Sequence, residues 1–170
     1  MDKEKLKEHL IGTTTRLYCV LDGGSVPELP KRLYETRTPN FCLFSGDLKP
    51  DMLYVAPYVA LMSPDSRFTD LVLGQGFGKH WGIFVHSRHS LKEMRRHFRS
   101  LVNVYDENGR SLIFRFYDPR VIRKFLPTCN PEELETFFGK VESFFAEDES
   151  GTSLSKFELS DKTLKESELN

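Results

Sequence analysis

Short apolar runs of strand type alternate with amphipathic segments of helical type along this chain, and that alternation restricts its fold more than any other feature. Arg16 to Gly24 (RLYCVLDGG) is an apolar run closed by Asp-Gly-Gly, which predicts a buried strand followed by a turn. Phe41 to Phe44, Leu53 to Met62 and Trp81 to His86 are also apolar and predict further strands. Pro57 lies inside one of these runs, so we expect a break or a sheet edge there.

Capping residues mark where the helices begin. Ser90 precedes a segment with a clear apolar stripe, and Asn130 precedes Pro131 and Glu133, which is the capping-box pattern. Another helix start lies at 63–65, and a further one lies either at Ser25 or at Pro30. The stripe of the helix after Ser90 consists of Leu91, Met94, Phe98, Leu101 and Val102.

The order of these elements predicts the fold class. Asn108-Gly109 is a hairpin signal between 102–106 and 111–117. Interleaved helices and strands predict an α/β (α+β) domain, and the hairpin favours a mixed β-sheet flanked by helices over a purely parallel one. We expect one domain over residues 1–148. Residues 149–170, acidic and rich in serine, predict a flexible and partly disordered tail with one short strand near Phe157 and Leu159.

Composition argues against several classes of protein. The 170 residues carry a net charge of −1, which gives no overall attraction to nucleic acid or to an anionic membrane. The cysteines, Cys19, Cys42 and Cys129, show no zinc-ligand spacing and are expected to be reduced thiols. The charged first residues do not match a signal peptide, and no apolar run reaches the length of a membrane span. We therefore expect a cytoplasmic protein.

The segment Phe114 to Pro127 (FRFYDPRVIRKFLP) changes abruptly from strand to helix at Asp118. An aspartate at the N-cap followed by Pro119 needs no functional explanation. Catalysis would need a nucleophile or a second carboxylate nearby, and none is evident in the sequence. We predict that Arg115 and Arg120 join the strand–helix junction through Asp118 or nearby carbonyl groups.

Other possible sites have simpler structural interpretations. The glycines of 74–78 (GQGFG) close a helix and lead into a strand, the reverse of a nucleotide-binding loop. His86 and His89 lie on a strand-to-helix loop without an evident third ligand, so no metal or cofactor is expected. The chain contains 14 phenylalanines, and any that remain exposed together would form a protein-binding patch.

A basic helix face is the strongest candidate for partner binding. Lys92, Arg95, Arg96 and Arg99 project opposite the apolar stripe, and Arg123 and Lys124 could extend the face. A plain solvated face explains these charges, and so does an acidic partner or a nucleic acid. Exposed aromatic residues between the cations would favour nucleic acid, but the aromatic residues here have core spacing.

Several ordered motifs resemble those of a known family. They are Leu21-Asp22-Gly23, Leu43-Phe44-Ser45-Gly46, Ala56-Pro57-Tyr58, Trp81-Gly82-Ile83, the helix positions Leu91, His97, Arg99 and Leu101, then Phe114-Arg115-Phe116-Tyr117-Asp118-Pro119-Arg120-Val121, Phe125-Leu126-Pro127 and Phe137-Phe138-Gly139-Lys140-Val141. In this order, over about Tyr18 to Asp148, the chain resembles the adaptor-chaperone family of bacterial type VI secretion.

The resemblance implies a non-enzymatic protein that binds a toxic effector in the cytoplasm and helps load it onto the spike, a valine-glycine repeat trimer. It also implies two protein partners, the cognate effector and the spike protein. Many relatives carry a further C-terminal helical lobe, which is expected to be missing here.

Two other functions remain as alternatives. One is a small hydrolase or transferase with a site around His86, His89 and Asp118. The other is an immunity or nucleic-acid-binding protein that uses the basic helix, for which strong salt dependence of binding would be the sign.

Overall fold

The chain folds into a main sheet covered by helices on both faces, with a separate two-stranded hairpin. The computed structural model describes residues 1–12 and 14–169. In chain order the first half contains α1 (Lys3–Leu10), β1 (Arg16–Asp22), α2 (Leu29–Glu35), β2 (Asn40–Cys42), α3 (Pro50–Val55), β3 (Pro57–Met62), α4 (Arg67–Leu71, continued by a π-helical turn Val72–Gly76) and β4 (Gly82–Ser87). The second half contains α5 (Leu91–Val102), β5 (Asn103–Tyr105), β6 (Ser111–Ile113), α6 (Pro119–Phe125, continued by a 3₁₀ turn Leu126–Thr128), α7 (Pro131–Phe138), β7 (Ser143–Glu147), β8 (Leu154–Ser160) and β9 (Thr163–Leu169).

Within the described residues, seven strands form the main sheet in the order β2-β3-β1-β4-β7-β8-β9. The α/β class is confirmed. Every pairing in this sheet is antiparallel. The sequence had suggested a sheet that mixes parallel and antiparallel pairs, and this detail of the prediction is wrong. Helices between strands indicate crossover connections, but they do not require parallel neighbours: β1 lies between β3 and β4 and runs antiparallel to both.

Alternation along β1 divides the core into two layers. Tyr18 and Val20 pack with α5, α6 and α7 on one face of the sheet. Leu17, Cys19 and Leu21 pack with α1, α2 and α4 on the other face. Because helices cover both faces, β1 is buried along nearly its whole length, which is why it has no polar alternation in the sequence.

Local signals placed most helix starts correctly. Ser90 with Glu93, and Asn130 with Glu133, form complete capping boxes at α5 and α7. The hairpin is confirmed as β5–β6, although it forms a separate two-stranded sheet that is shorter than expected. The expected strand from Leu53 is α3 followed by β3, with Pro57 as the first strand residue.

The sequence predicted a flexible tail over residues 149–170. Up to Leu169 this prediction is wrong, because the segment forms two strands. β8 and β9 form a hairpin, and β8 continues the main sheet beside β7. Phe157 is buried against Phe144, its partner in β7, which explains why a polar segment is ordered. Acidic composition indicated disorder, but one buried aromatic residue and a ladder of backbone hydrogen bonds outweigh it.

Candidate functional site

Asp22, at the end of β1, is a buried carboxylate that gathers three hydrogen bonds. The backbone N–H of Gly24 donates to it at 3.0 Å and the hydroxyl of Ser25 at 2.9 Å. Arg115, 93 positions later in the chain, donates from Nη2 to Asp22 Oδ2 at 2.6 Å. This ion pair connects the turn after β1 to the segment that precedes α6. The pairing was missed in the sequence because the two residues share no local pattern.

Asp118 holds the other end of this segment. Its carboxylate accepts the backbone N–H of Arg120 at 2.9 Å, so the predicted N-cap is confirmed. Arg120 also donates from Nε at 3.0 Å and from Nη2 at 2.7 Å, which makes a bidentate pair. Arg115 Nη2 lies 3.8 Å from Asp118 Oδ2 and so stands between both carboxylates.

The electrostatics of this cluster favour the ionised carboxylate. Burial opposes ionisation of Asp118, but the hydrogen bonds and charge of Arg120, with the charge of Arg115, outweigh it and lower the pKa of Asp118. Tyr117 is 2% exposed, and burial, followed by the charge of Asp22, raises the pKa of its hydroxyl to about 12. Asp22, Arg115, Asp118 and Arg120 are therefore a matched set of two anions and two cations.

A groove of about 490 Å³ is lined in part by Asp22 and Arg115 of this cluster. Its lining combines motif residues with apolar side chains from three separate segments: Asp22, Gly24, Ser25, Phe44, Met52, Val55, Ile113, Arg115 and Tyr117. One wall is α3 and the other is the β5–β6 hairpin. We call it the α3–hairpin groove.

The walls of the α3–hairpin groove carry large apolar side chains that face solvent. Val55 on α3 is 50% exposed and Ile113 on β6 is 51% exposed. Met52 on α3 lines the groove and is exposed as well. Tyr54 on α3 and Tyr105 on the hairpin are exposed but do not line it. Single exposed apolar residues are ordinary, but a group around one groove marks an interaction surface.

Trp81 and Gly82 support the floor of this groove from behind. Trp81 is 6% exposed, and its carbonyl accepts the backbone N–H of Asp22 at 2.9 Å. At Gly82, a Cβ would lie 2.1 Å from the carbonyl oxygen of Val20, so β4 can approach β1 there only without a side chain. These two motif residues thus fix the position of Asp22.

Phe138 and Gly139 join the end of α7 to α5. Phe138 is buried, with its ring centroid 5.1 Å from that of Phe144. Gly139 follows α7 with φ +47°, and a Cβ there would lie 2.6 Å from the ring of His97 on α5. The Nε2 of His97 lies 2.9 Å from the carbonyl oxygen of Phe137. A side chain at Gly139 would disturb this contact between the two helices.

The basic face of α5 divides into two parts. Lys92 and Arg96 are exposed. Arg95 lies with its guanidinium 4.7 Å from the centre of the Phe41 ring, and Arg99 donates to the carbonyl of Phe44 at 2.6 Å and to that of Cys42 at 3.3 Å. Half of the face therefore stabilises the β2 segment. Partner binding by Lys92 and Arg96 stays a prediction.

Arg123 and Lys124 have acidic partners of their own. Arg123 donates to the hydroxyl of Ser155 and lies 3.9 Å from Glu166. Lys124 lies 3.6 Å from Glu149. Both cations thus interact with the C-terminal segment and, among the described residues, form no ion pair with α5.

The residues of the alternative catalytic site have separate partners. The imidazole of His86 is buried beside Phe145, with Nε2 2.8 Å from the carbonyl oxygen of Leu10. Burial lowers the pKa of His86. His89 Nδ1 lies 3.1 Å from Glu93. Asp118 belongs to the arginine cluster, so each of the three residues interacts with a different element.

Three further findings concern metal binding, membrane spans and the cysteines. Among residues 1–12 and 14–169, no group of three or more His, Cys, Asp and Glu side chains is arranged to hold a metal ion. Over the same residues, every helix is too short or too polar to cross a membrane. The three cysteines are free, and Cys19 is buried.

Comparison with known proteins gives one match. The model of a family described as "Domain of unknown function (DUF4123)" matches residues 17–136, which include the whole charged cluster and both walls of the α3–hairpin groove. Among curated proteins and solved structures, none matches the chain significantly.

Proposed function

The chain belongs to this family, which is known as a type VI secretion effector-associated domain, and from that premise we propose that it is a non-enzymatic adaptor-chaperone. It binds a secreted effector in the cytoplasm and helps load it onto the spike, a valine-glycine repeat protein. Neither nucleic acid nor membrane is part of this proposal.

The observation that carries this proposal is the α3–hairpin groove. Its exposed apolar walls would gain about 25 cal/mol for each Å² that a partner covers. Its floor is fixed by Asp22 and Arg115, so the groove exists before the partner arrives. A preformed apolar groove of this kind loses less entropy on binding than a mobile surface would.

The charged cluster also supports a binding role. Each carboxylate already has a guanidinium partner, at 2.6 Å for Asp22 and 2.7 Å for Asp118. Groups matched in this way order the junction between Phe114 and α6. We propose that the cluster orients the groove walls and takes no part in bond breaking.

The test is a co-purification. The tagged protein is expressed with the products of its neighbouring genes, including any spike protein, and the mixture is separated by size exclusion. We expect a stable complex with a large effector, and a further complex when the spike protein is added. A wild-type protein that remains alone with every neighbour would refute the adaptor function.

Point variants then test the surface. Val55→Asp and Ile113→Asp place a charge on either wall, and each is expected to weaken effector binding at least about tenfold, because a desolvated charge replaces an apolar contact. Tyr34→Asp is the matched control, since Tyr34 is 84% exposed on α2 and does not line the groove. Equal binding by all three variants would exclude the α3–hairpin groove as the effector site.

A further inference from the structure

A second groove lies beside the other face of the β5–β6 hairpin. It has a volume of about 410 Å³, and its apolar lining consists of Leu101, Val104, Phe114, Phe125 and Phe137. In the hairpin, Val104 pairs with Leu112 and Asn103 pairs with Ile113, so Val104 and Ile113 point to opposite faces. We call this site the phenylalanine groove. It is separate from the α3–hairpin groove, which Ile113 lines.

The aromatic floor of the phenylalanine groove is rigid. Phe125 stands edge-on to Phe114, with ring centroids 4.7 Å apart, and lies 5.4 Å from Phe137. Phe114 and Phe125 are only partly buried, so part of each ring faces the groove. The volume lies in the range, roughly 300–1,000 Å³, of pockets that enclose apolar groups of a ligand.

The rim gives the groove a negative charge. Glu132 and Glu133, at the start of α7, line it, and no lysine or arginine does so among the described residues. Glu133 accepts the backbone N–H of Asn130 in the capping box. The carboxylate of Glu132 is exposed and has no hydrogen-bond or ion-pair partner in the described part of the chain. An occupant with a cation near this rim would be favoured by charge complementarity.

We propose that the phenylalanine groove binds a segment of the effector in which a large apolar side chain is flanked by lysine or arginine. The apolar side chain fills the space between Val104 and the phenylalanine floor, and the flanking cation pairs with Glu132. This inference rests on the proposed adaptor function and adds the chemistry of the recognised segment. The adaptor then holds one effector through two grooves on either face of the hairpin.

The experiment uses the effector complex obtained by co-purification and measures its Kd by titration calorimetry. Val104→Asp changes a partly exposed wall residue outside the packed core. We expect this variant to raise Kd by about tenfold or more, since a buried valine contact is lost and a charge is desolvated. Tyr34→Asp is the control and is expected to bind like wild type.

The charge is tested separately. Glu132→Lys is expected to raise Kd about three- to tenfold at low salt. The difference in Kd from wild type should shrink in about 0.5 M salt, because salt screens an ion pair at the rim. Glu8→Lys, at an exposed position on α1, is the matched control for charge reversal. Circular dichroism melts of all four variants establish that each one is folded.

The outcomes separate this inference from the proposed function. If wild type binds the effector and all variants bind equally well, the phenylalanine groove is not an effector site, although the adaptor function stands. If wild type binds no effector, both proposals fail together. If wild type alone is a dimer that Val104→Asp converts to a monomer, the occupant is a second copy of this chain and the proposal is wrong.

Discussion

Asp22 and Asp118 show how single buried carboxylates organise this molecule. Each satisfies backbone N–H groups of its own turn and also pairs with an arginine. The turn hydrogen bonds of Asp118 could be predicted from the Asp-Pro pattern. The pairing of Asp22 with Arg115 could not, because it depends on the packing of β1 against a segment far along the chain. A buried carboxylate is costly unless it is both hydrogen-bonded and paired with a cation, and each of these two aspartates has both kinds of partner.

Asp118→Ala is predicted to lower the free energy of unfolding by about 1–3 kcal/mol, because it removes both a helix N-cap and a bidentate pair. Arg120→Ala should cost less, about 1 kcal/mol or below, since the Arg120 side chain is 52% exposed and the cap remains. Urea denaturation measures both. If Arg120→Ala abolished partner binding without changing the melting temperature, Arg120 would belong to the binding surface.

The pH dependence of stability gives a second test of Asp118. A carboxyl group whose pKa is lowered by folding stabilises the folded state above its unfolded pKa, and this contribution is lost as pH falls through the lower folded value. Asp118→Asn keeps a competent N-cap and removes the charge. The stability difference between wild type and this variant should be constant above about pH 5 and shrink below about pH 4. A difference that does not change with pH would contradict the ionised pair.

At the scale of elements, those that depend on short-range sequence features were predicted correctly. Capping boxes at α5 and α7 and the Asn-Gly hairpin are short-range features, and all of them appeared where expected. α3 was missed because Leu-Tyr-Val has strand propensity. The two prolines set the bounds of the helix instead. Pro50 is its first residue, and Ala56 takes extended dihedrals because Pro57 follows it. The exposed apolar face of α3, and with it the α3–hairpin groove, was therefore missed.

On helix α5, substitutions can distinguish the exposed cations from those that stabilise the β2 segment. The double variant Lys92→Glu, Arg96→Glu changes exposed side chains and should alter the free energy of unfolding by no more than about 0.5 kcal/mol. Arg99→Ala removes hydrogen bonds to two carbonyl groups of the β2 segment and should cost about 1–3 kcal/mol.

Binding of the proposed effector by the folded double variant decides the function of the basic face. A weaker complex, most evident at low salt, would assign Lys92 and Arg96 to a partner surface. An unchanged complex would leave them as a solvated face, the other interpretation that the sequence allowed.

For the whole molecule, the C-terminal hairpin is part of the folding unit. The family match ends at residue 136, but β7, β8 and β9 continue the sheet to Leu169. Acidic composition predicted disorder because composition describes only the average polarity of a segment and not which residues are buried. The structure depends on the few apolar residues, Leu154 and Phe157 among them, that alternate into the core.

A chain shortened to residues 1–148 is predicted to lose cooperative unfolding. Its β7 would become an edge strand, and Phe144 would lose the cover of Phe157. Phe157→Ala in the full chain is the graded comparison and should cost about 3–5 kcal/mol. Thermal melts and heteronuclear spectra measure both. A well-dispersed spectrum from the shortened chain would show that the hairpin is dispensable.

The position of β9 at the open edge of the sheet bears on solubility. An unpaired edge strand is a template on which further strands, from this or any other chain, can add. In β9 the residues Lys165, Glu166 and Glu168 are exposed, so an added strand would have to strip water from several charges. The acidic composition that resembled a disordered tail thus has another consequence: it disfavours the addition of a further strand at this edge of the sheet.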